Sequence, residues 1–343
     1  MSDTHPLAPT ARSPQPRRVF MLGATGTIGR DTVSALIARG HEVVCFIRPG
    51  GTGRGAMSVT ERSAVLPGAT IRLGDVGDPA SLARDGFQGE HFDALVSCMA
   101  SRTGAPKDAW AVDHQAHLNA LHSAKDAGVT QVVLLSAICV QKPLLAFQQA
   151  KLAFEKTLIE SGLTYSIVRA TAFFKSLSGQ IGRVRNGKPF LVFGDGTLTA
   201  CKPISDGDLA AYLTDCLDDT SRHNRILPIG GPGPAITPRQ QAEHLFALLG
   251  QTPKIKHVPV RLLDTIIGVL GTIGRVVPAL VEKAELARIG RYYATESMLV
   301  LNPNTGRYDE HATPSTGTET LFDYYATLVR GGRGPERGDH AVF

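Results

Sequence analysis

An α/β fold built on a doubly wound parallel sheet follows from three features of this 343-residue sequence. Short apolar runs alternate with segments of helical periodicity. The runs are apolar at successive positions rather than at every second one, as strands covered on both faces require. A glycine-rich turn joins the first run to the first helix. Helices above and below a parallel sheet place its ligand cleft at the carboxyl ends of the strands.

The elements follow in order. Arg18 to Leu22 (RVFML) reads as the first strand. Thr27 to Arg39 carries Ile28, Val33, Leu36 and Ile37 at helical spacing, and Gly40 stops it. Glu42–Ile47 and Thr70–Leu73 are strands, Asp78–Arg84 is a short helix, and Phe92–Ser97 is a strand. Trp110 to Ala127 is a helix stopped by Gly128, and Gln131–Leu135 is a continuous apolar strand. Leu144 to Ser161 is a long helix closed by Gly162, and Tyr165–Val168 is the next strand. Beyond Arg169 the alternation weakens. Phe190–Phe193 and Ile226–Ile229 still read as strands, Asp206–Leu217 and Pro238–Leu249 as helices, and Arg261–Arg291 as helical.

Composition narrows the possibilities. Hydrophobic residues make up 43% and charged residues 20%, which excludes a mostly disordered chain. The net charge of +5 is spread along the sequence without a basic stripe, so nucleic acid is not expected as a partner. Five cysteines without a CxxC exclude a disulfide scaffold, argue against a cysteine-ligated iron–sulfur cluster, and fit a reducing cytoplasm. The histidines lack ligand spacing, so no protein metal site is expected. Residues 1–17 are proline-rich with no apolar signal core and read as a disordered leader. Leu262 to Val281 is largely apolar, but Asp264 and Arg275 oppose a membrane span. It is expected to be a buried or lid helix, with an interfacial membrane contact as the alternative.

Gly23-Ala-Thr25-Gly26-Thr27-Ile28-Gly29 stands where a dinucleotide pyrophosphate binds in such folds. Gly23 permits the tight turn, Gly26 lets the backbone approach phosphate, and Gly29 allows close helix–strand packing. An acid at the end of the second strand would bind the ribose 2′-hydroxyl of NAD; here that place holds Arg48, with Arg30 after the third glycine as a second cation. A guanidinium suits a 2′-phosphate, so NADPH is the expected cofactor. Asp75 and Val76, closing the third strand, are placed for the adenine edge, although Asp75 would equally cap the following turn. The expected division is a dinucleotide-binding Rossmann domain over 18–170, a smaller, interwoven, mostly helical substrate-binding portion over 171–332, and a flexible tail over 333–343.

The glycine motif, Gly74-Asp75-Val76, Leu134-Leu-Ser136-Ala137, Lys151 and Tyr165-Ser-Ile-Val-Arg169 resemble the atypical, NmrA-like short-chain dehydrogenase/reductases over roughly residues 18–260. More specifically, the stretches 97–104, 134–151, 171–176, 194–204 and 290–298 are similar to the NADPH-dependent 8-vinyl-reductase family of (bacterio)chlorophyll biosynthesis. The resemblance implies hydride reduction of the 8-vinyl group of divinyl (proto)chlorophyllide, with divinyl chlorophyllide a as the expected pigment partner. The expected location is the cytoplasm, with peripheral contact to the photosynthetic membrane left open. A reductase of small enones or quinones on the same fold, and a non-catalytic dinucleotide-binding redox sensor, stay as alternatives.

Most short-chain reductases carry Tyr-x-x-x-Lys on the helix after the fifth strand. Here the spacing gives Phe147-Gln-Gln-Ala-Lys151, so the usual acid is missing. Lys151 is expected to anchor the nicotinamide ribose and assist electrostatically, with Ser136 as a second catalytic candidate. Phe147, Phe173 and Phe174 are the expected apolar walls for a flat pigment, with Lys175 or Arg169 candidates for its propionate.

Overall fold

The computed structural model describes residues 15–49, 64–274, 277 and 279–331. Most of the predicted leader and all of the predicted tail over 333–343 lie outside the described residues. Arg17, inside the predicted leader, is already tied to the fold: its backbone N–H donates to His41 Nδ1 at 3.2 Å and its guanidinium pairs with Asp218.

Nine strands of four or more residues are described: β1 (Arg18–Leu22), β2 (Glu42–Ile47), β3 (Thr70–Leu73), β4 (Ala94–Ser97), β5 (Gln131–Ala137), β6 (Thr164–Ala170), β7 (Phe190–Phe193), β8 (Arg225–Ile229) and β9 (Ile255–Val258). Seven form one parallel sheet in the order β3-β2-β1-β4-β5-β6-β8. The order reverses between β1 and β4, and the chain leaving β1 meets the chain leaving β4 there. β8 joins the sheet from the later half of the chain, while β7 and β9 pair separately.

The uninterrupted apolar character of the strands has a direct structural cause. Val19 and Met21 of β1 face one core, with Ile28, Val33, Leu36, Leu209 and Leu213 from helices Thr27–Ala38 and Asp206–Asp215. Phe20 and Leu22 face the opposite core, with Leu82, Phe87, Leu121, Phe154 and Leu158. β5 alternates in the same way, Val133 and Leu135 to the first core, Val132 and Leu134 to the second. Each such side chain removed from water is worth about 1.5–3 kcal/mol, so both sheet faces must be covered. A third core gathers Phe174, Phe190, Val192, Phe246, Ile289, Tyr292 and Tyr325 from the later half of the chain, together with Ile138 and Cys139 beyond β5.

Two expectations about elements need correction. The helix predicted from Trp110 begins earlier, at Pro106, and runs to Asp126 with a π-helical stretch over Trp110–Ala116. The apolar 262–281 segment is not a buried helix. It is a hairpin of two helices, Val260–Ile273 and Ala279–Thr295, and the first has no buried residue. Val260, Leu263, Ile267, Leu270 and Gly271 lie along its more covered face, while Leu262, Ile266, Val269 and Ile273 stand on the outside. Among the described residues no helix is long and apolar enough to cross a membrane.

Candidate active site

The glycine turn is built tightly for stated reasons. Gly23 has φ +76°, and a Cβ there would come within 2.5 Å of the Cys98 carbonyl carbon. A Cβ on Gly29 would stand 2.1 Å from the Gly23 carbonyl oxygen. Gly26 differs: its nearest neighbour would be 3.5 Å away, which leaves its outer side open. Gly26 is also the N-cap of helix Thr27–Ala38, which has no side-chain cap and no acid in its first turn. An uncapped helix start over an open glycine fits a dinucleotide pyrophosphate. Thr25, Thr27 and Ile28 present backbone here, while the Ile28 side chain is buried in the first core. Arg30 is exposed, and its Nε donates to the Thr25 carbonyl at 3.0 Å, bracing the turn from outside.

Pairing of Leu22 with Phe46 brings the end of β2 level with the turn, so exposed Arg48 follows on the same edge. Asp75 behaves as a turn residue: its Oδ1 accepts from Gly77 N at 2.8 Å, and its own N–H donates to Ser81 Oγ. The Val76 side chain is buried in the second core.

Beyond β4 and β5 lies a polar cluster under a mostly apolar cover. Lys151 Nζ is 2.9 Å from Asp113 Oδ1, with the carboxylate fully buried and the lysine side chain 13% exposed. Ser101 N–H donates to the same oxygen at 3.2 Å, and Asp113 Oδ2 is buried without a partner. Burial works to raise the Asp113 carboxyl, but the Lys151 charge and the Ser101 and Lys151 hydrogen bonds outweigh it and hold it below the usual carboxylate range. His117, also buried, donates from Nδ1 to the Val112 carbonyl and accepts from Ser97 Oγ at Nε2, each at 2.9 Å. Burial, with Lys151 adding repulsion, lowers its imidazole to about 4.

Several expected site residues therefore sit otherwise than expected. Ser136 is buried, and its hydroxyl donates to Glu155 Oε1 at 2.5 Å; Glu155 in turn pairs with Arg169. The Ser136 hydroxyl is thus engaged by a buried carboxylate, at the edge of the pocket that Ser136 lines with Asp113, His117 and Lys151. Arg169 is likewise committed. Phe174 is 3% exposed and packs on Tyr324 in the third core, which removes it from the expected pocket wall. Phe173 and Phe147 are half-buried; Phe147 lies beside Gly104 and Ile289. Sequence reasoning missed Asp113. Its signal was an acid in the Trp110–Ala127 helix, but nothing in the spacing tied it to Lys151.

A family model described as NAD(P)H-binding matches residues 23–220. The chain is 48% identical over 337 residues to the divinyl chlorophyllide a 8-vinyl-reductase of Oryza sativa subsp. indica, spanning 96% of this chain and 83% of that protein. The Arabidopsis thaliana protein of that name is also 48% identical, over 339 residues, with 96% and 81% covered. The chain belongs to the divinyl chlorophyllide a 8-vinyl-reductase family. Membership extends across both the dinucleotide-binding half and the later third core, and the chain is an NAD(P)H-binding oxidoreductase by family. Among solved structures, an NADPH-dependent quinone oxidoreductase from Escherichia coli in complex with NADPH superposes with a TM-score of 0.64 at 18% identity. It spans 91% of this chain and 99% of its own. At that identity the likeness speaks to fold alone.

Proposed function

We propose that this chain reduces the 8-vinyl group of divinyl chlorophyllide a to ethyl with NADPH as hydride donor. The observation that carries this reading is the near full-length relationship to the 8-vinyl-reductases, including the later half that would face the pigment. When bound, NADPH supplies two electrons as one hydride. Gly23, Gly26 and Gly29, with the Thr25, Thr27 and Ile28 backbone, hold its pyrophosphate. Arg48 and Arg30 receive the 2′-phosphate, and the Asp75–Val76 backbone borders the adenine.

Lys151 faces the nicotinamide end of this cleft, with its ammonium oriented by Asp113. A vinyl group conjugated to a macrocycle delocalises the negative charge that hydride addition leaves. The chain's main tasks are therefore to position the ring and exclude water. Phe147 and Phe173 supply apolar walls. The substrate-facing part of the 171–332 portion is the part gathered on the third core, apart from β8 and helix Asp206–Asp215, which pack with the dinucleotide-binding sheet. The outer face of the 260–273 helix, with exposed Lys254, Lys256 and Arg261 beside it, supports a peripheral contact with an anionic lipid surface.

The test is direct. Purified protein with NADPH and divinyl chlorophyllide a, without ferredoxin, is expected to shift the Soret band to that of the monovinyl product. Oxidation of NADPH by small enones or quinones with no change in the pigment would overturn the reading.

A further inference from the structure

Reduction of a vinyl group needs a proton as well as a hydride, and most donors around Lys151 are already committed. Ser136 donates to Glu155. His117 spends its N–H on the Val112 carbonyl. Lys151 gives one of its three N–H donors to Asp113 and, in the reading above, turns the others to the nicotinamide end of the cleft. Tyr292 donates to the Cys139 carbonyl at 2.9 Å.

Tyr293 is different. Its hydroxyl has one hydrogen-bond contact among the described residues, a weak one to Cys139 Sγ at 3.9 Å. Cys139 lies two residues past the carboxyl end of β5, and the Lys151 charge acts on its thiol. Ile289, one helical turn before Tyr293, comes close to Gly104 and Phe147: a Cβ on Gly104 would lie 3.0 Å from Ile289 Cδ1 and 3.4 Å from Phe147 Cδ1. The Ala279–Thr295 helix therefore crosses the site beside Phe147, and residues four apart share one of its faces. Tyr293 remains 37% exposed as a side chain, so its ring borders the outside of the third core while its hydroxyl lies inward against Cys139. Burial keeps its phenol protonated well beyond the neutral range.

We propose that Tyr293, brought in by the C-terminal helix hairpin, is the proton donor of the reaction. The inference rests on the vinyl-reductase reading above. The terminal vinyl carbon takes the hydride of NADPH, and the π pair moves to the ring-adjacent carbon. That carbon forms a C–H bond with the Tyr293 proton as the O–H bond breaks, leaving an ethyl group, NADP+ and a tyrosinate. Solvent water then returns a proton to the tyrosinate.

Tyr293→Phe keeps the ring and removes the donor. Its kcat is expected to fall about 100-fold or more, the scale of a lost general acid. Protonation then limits the rate: the solvent deuterium effect on kcat rises, and the primary effect from 4-deuterated NADPH falls towards one. Fluorescence titration with monovinyl chlorophyllide should show binding within twofold of the wild type, and the Tm should stay within a few degrees. Tyr292→Phe, which loses a backbone contact, should lower the Tm and leave both isotope effects as in the wild type. A Tyr293→Phe enzyme with unchanged kcat, or with slower turnover but unaltered isotope effects, overturns the assignment. A wild-type protein that does not reduce the pigment overturns the vinyl-reductase reading and the Tyr293 assignment with it, whereas a reducing wild type with an unaffected Tyr293→Phe variant overturns the assignment alone.

Discussion

Arg48 is the side chain on which the proposed preference for NADPH turns. It follows the last residue of β2 on the edge that carries the glycine turn, where an acid would repel a 2′-phosphate. Arg48→Glu is expected to raise the KM for NADPH by about tenfold or more, the scale of one charge-assisted contact, and that for NADH far less. Steady-state kinetics with both coenzymes check this, and equal changes refute it. Lys151 teaches a different lesson at the same scale. Its place on a helix was legible from spacing, but its carboxylate partner was not. Asp113 comes from another helix, and only the packing of the two helices over the sheet brings the charges to 2.9 Å. Ser136 shows the converse: the strand-end position suggested chemistry, whereas buried Glu155 takes its hydroxyl.

Among the elements, the hairpin of helices Val260–Ile273 and Ala279–Thr295 was the least predictable. Its apolar content marked it as helical and not a span, but could not tell a core face from a solvent face. The first helix is apolar on both sides, so one side packs on its partner and Leu262, Ile266, Val269 and Ile273 are left outside. Contiguous exposed aliphatic side chains of this kind mark an interaction surface. In flotation assays the protein is expected to bind anionic vesicles at low salt and to lose binding in a Leu262→Asp/Val269→Asp variant, with NADPH affinity preserved. Equal flotation of both proteins would refute the lipid contact.

For the molecule as a whole, buried ionisable groups make stability depend on pH. His117 titrates near 4 in the folded chain against 6.5 when unfolded. Between these values the unfolded chain binds more protons, so stability falls by roughly 3 kcal/mol as pH drops from about 6.5 to about 4. Asp113, held low, acts in the same direction. Asp206 opposes them: burial and then Asp31 raise it to about 6, so its ionisation weakens the fold as pH rises through that range. Comparing wild type with His117→Gln by urea unfolding isolates the histidine. The stability difference between the two proteins is expected to shift in favour of the wild type as pH rises from 4 to 7, and a flat difference would refute the assignment.

The order of strands and helices as far as β6, the two-faced sheet and the glycine turn were determined by the sequence alone, whereas β9 and the helix Leu321–Val329 were not. Each depends on local periodicity or on steric limits at single positions such as Gly23 and Gly29. The pairing of Lys151 with Asp113, the enclosure of Ser136 and Phe174, and the approach of Tyr293 to Cys139 were decided only by tertiary structure. These are meetings between distant segments, and no local pattern encodes which side chains share a buried space once the sheet, its helices and the later core have closed together.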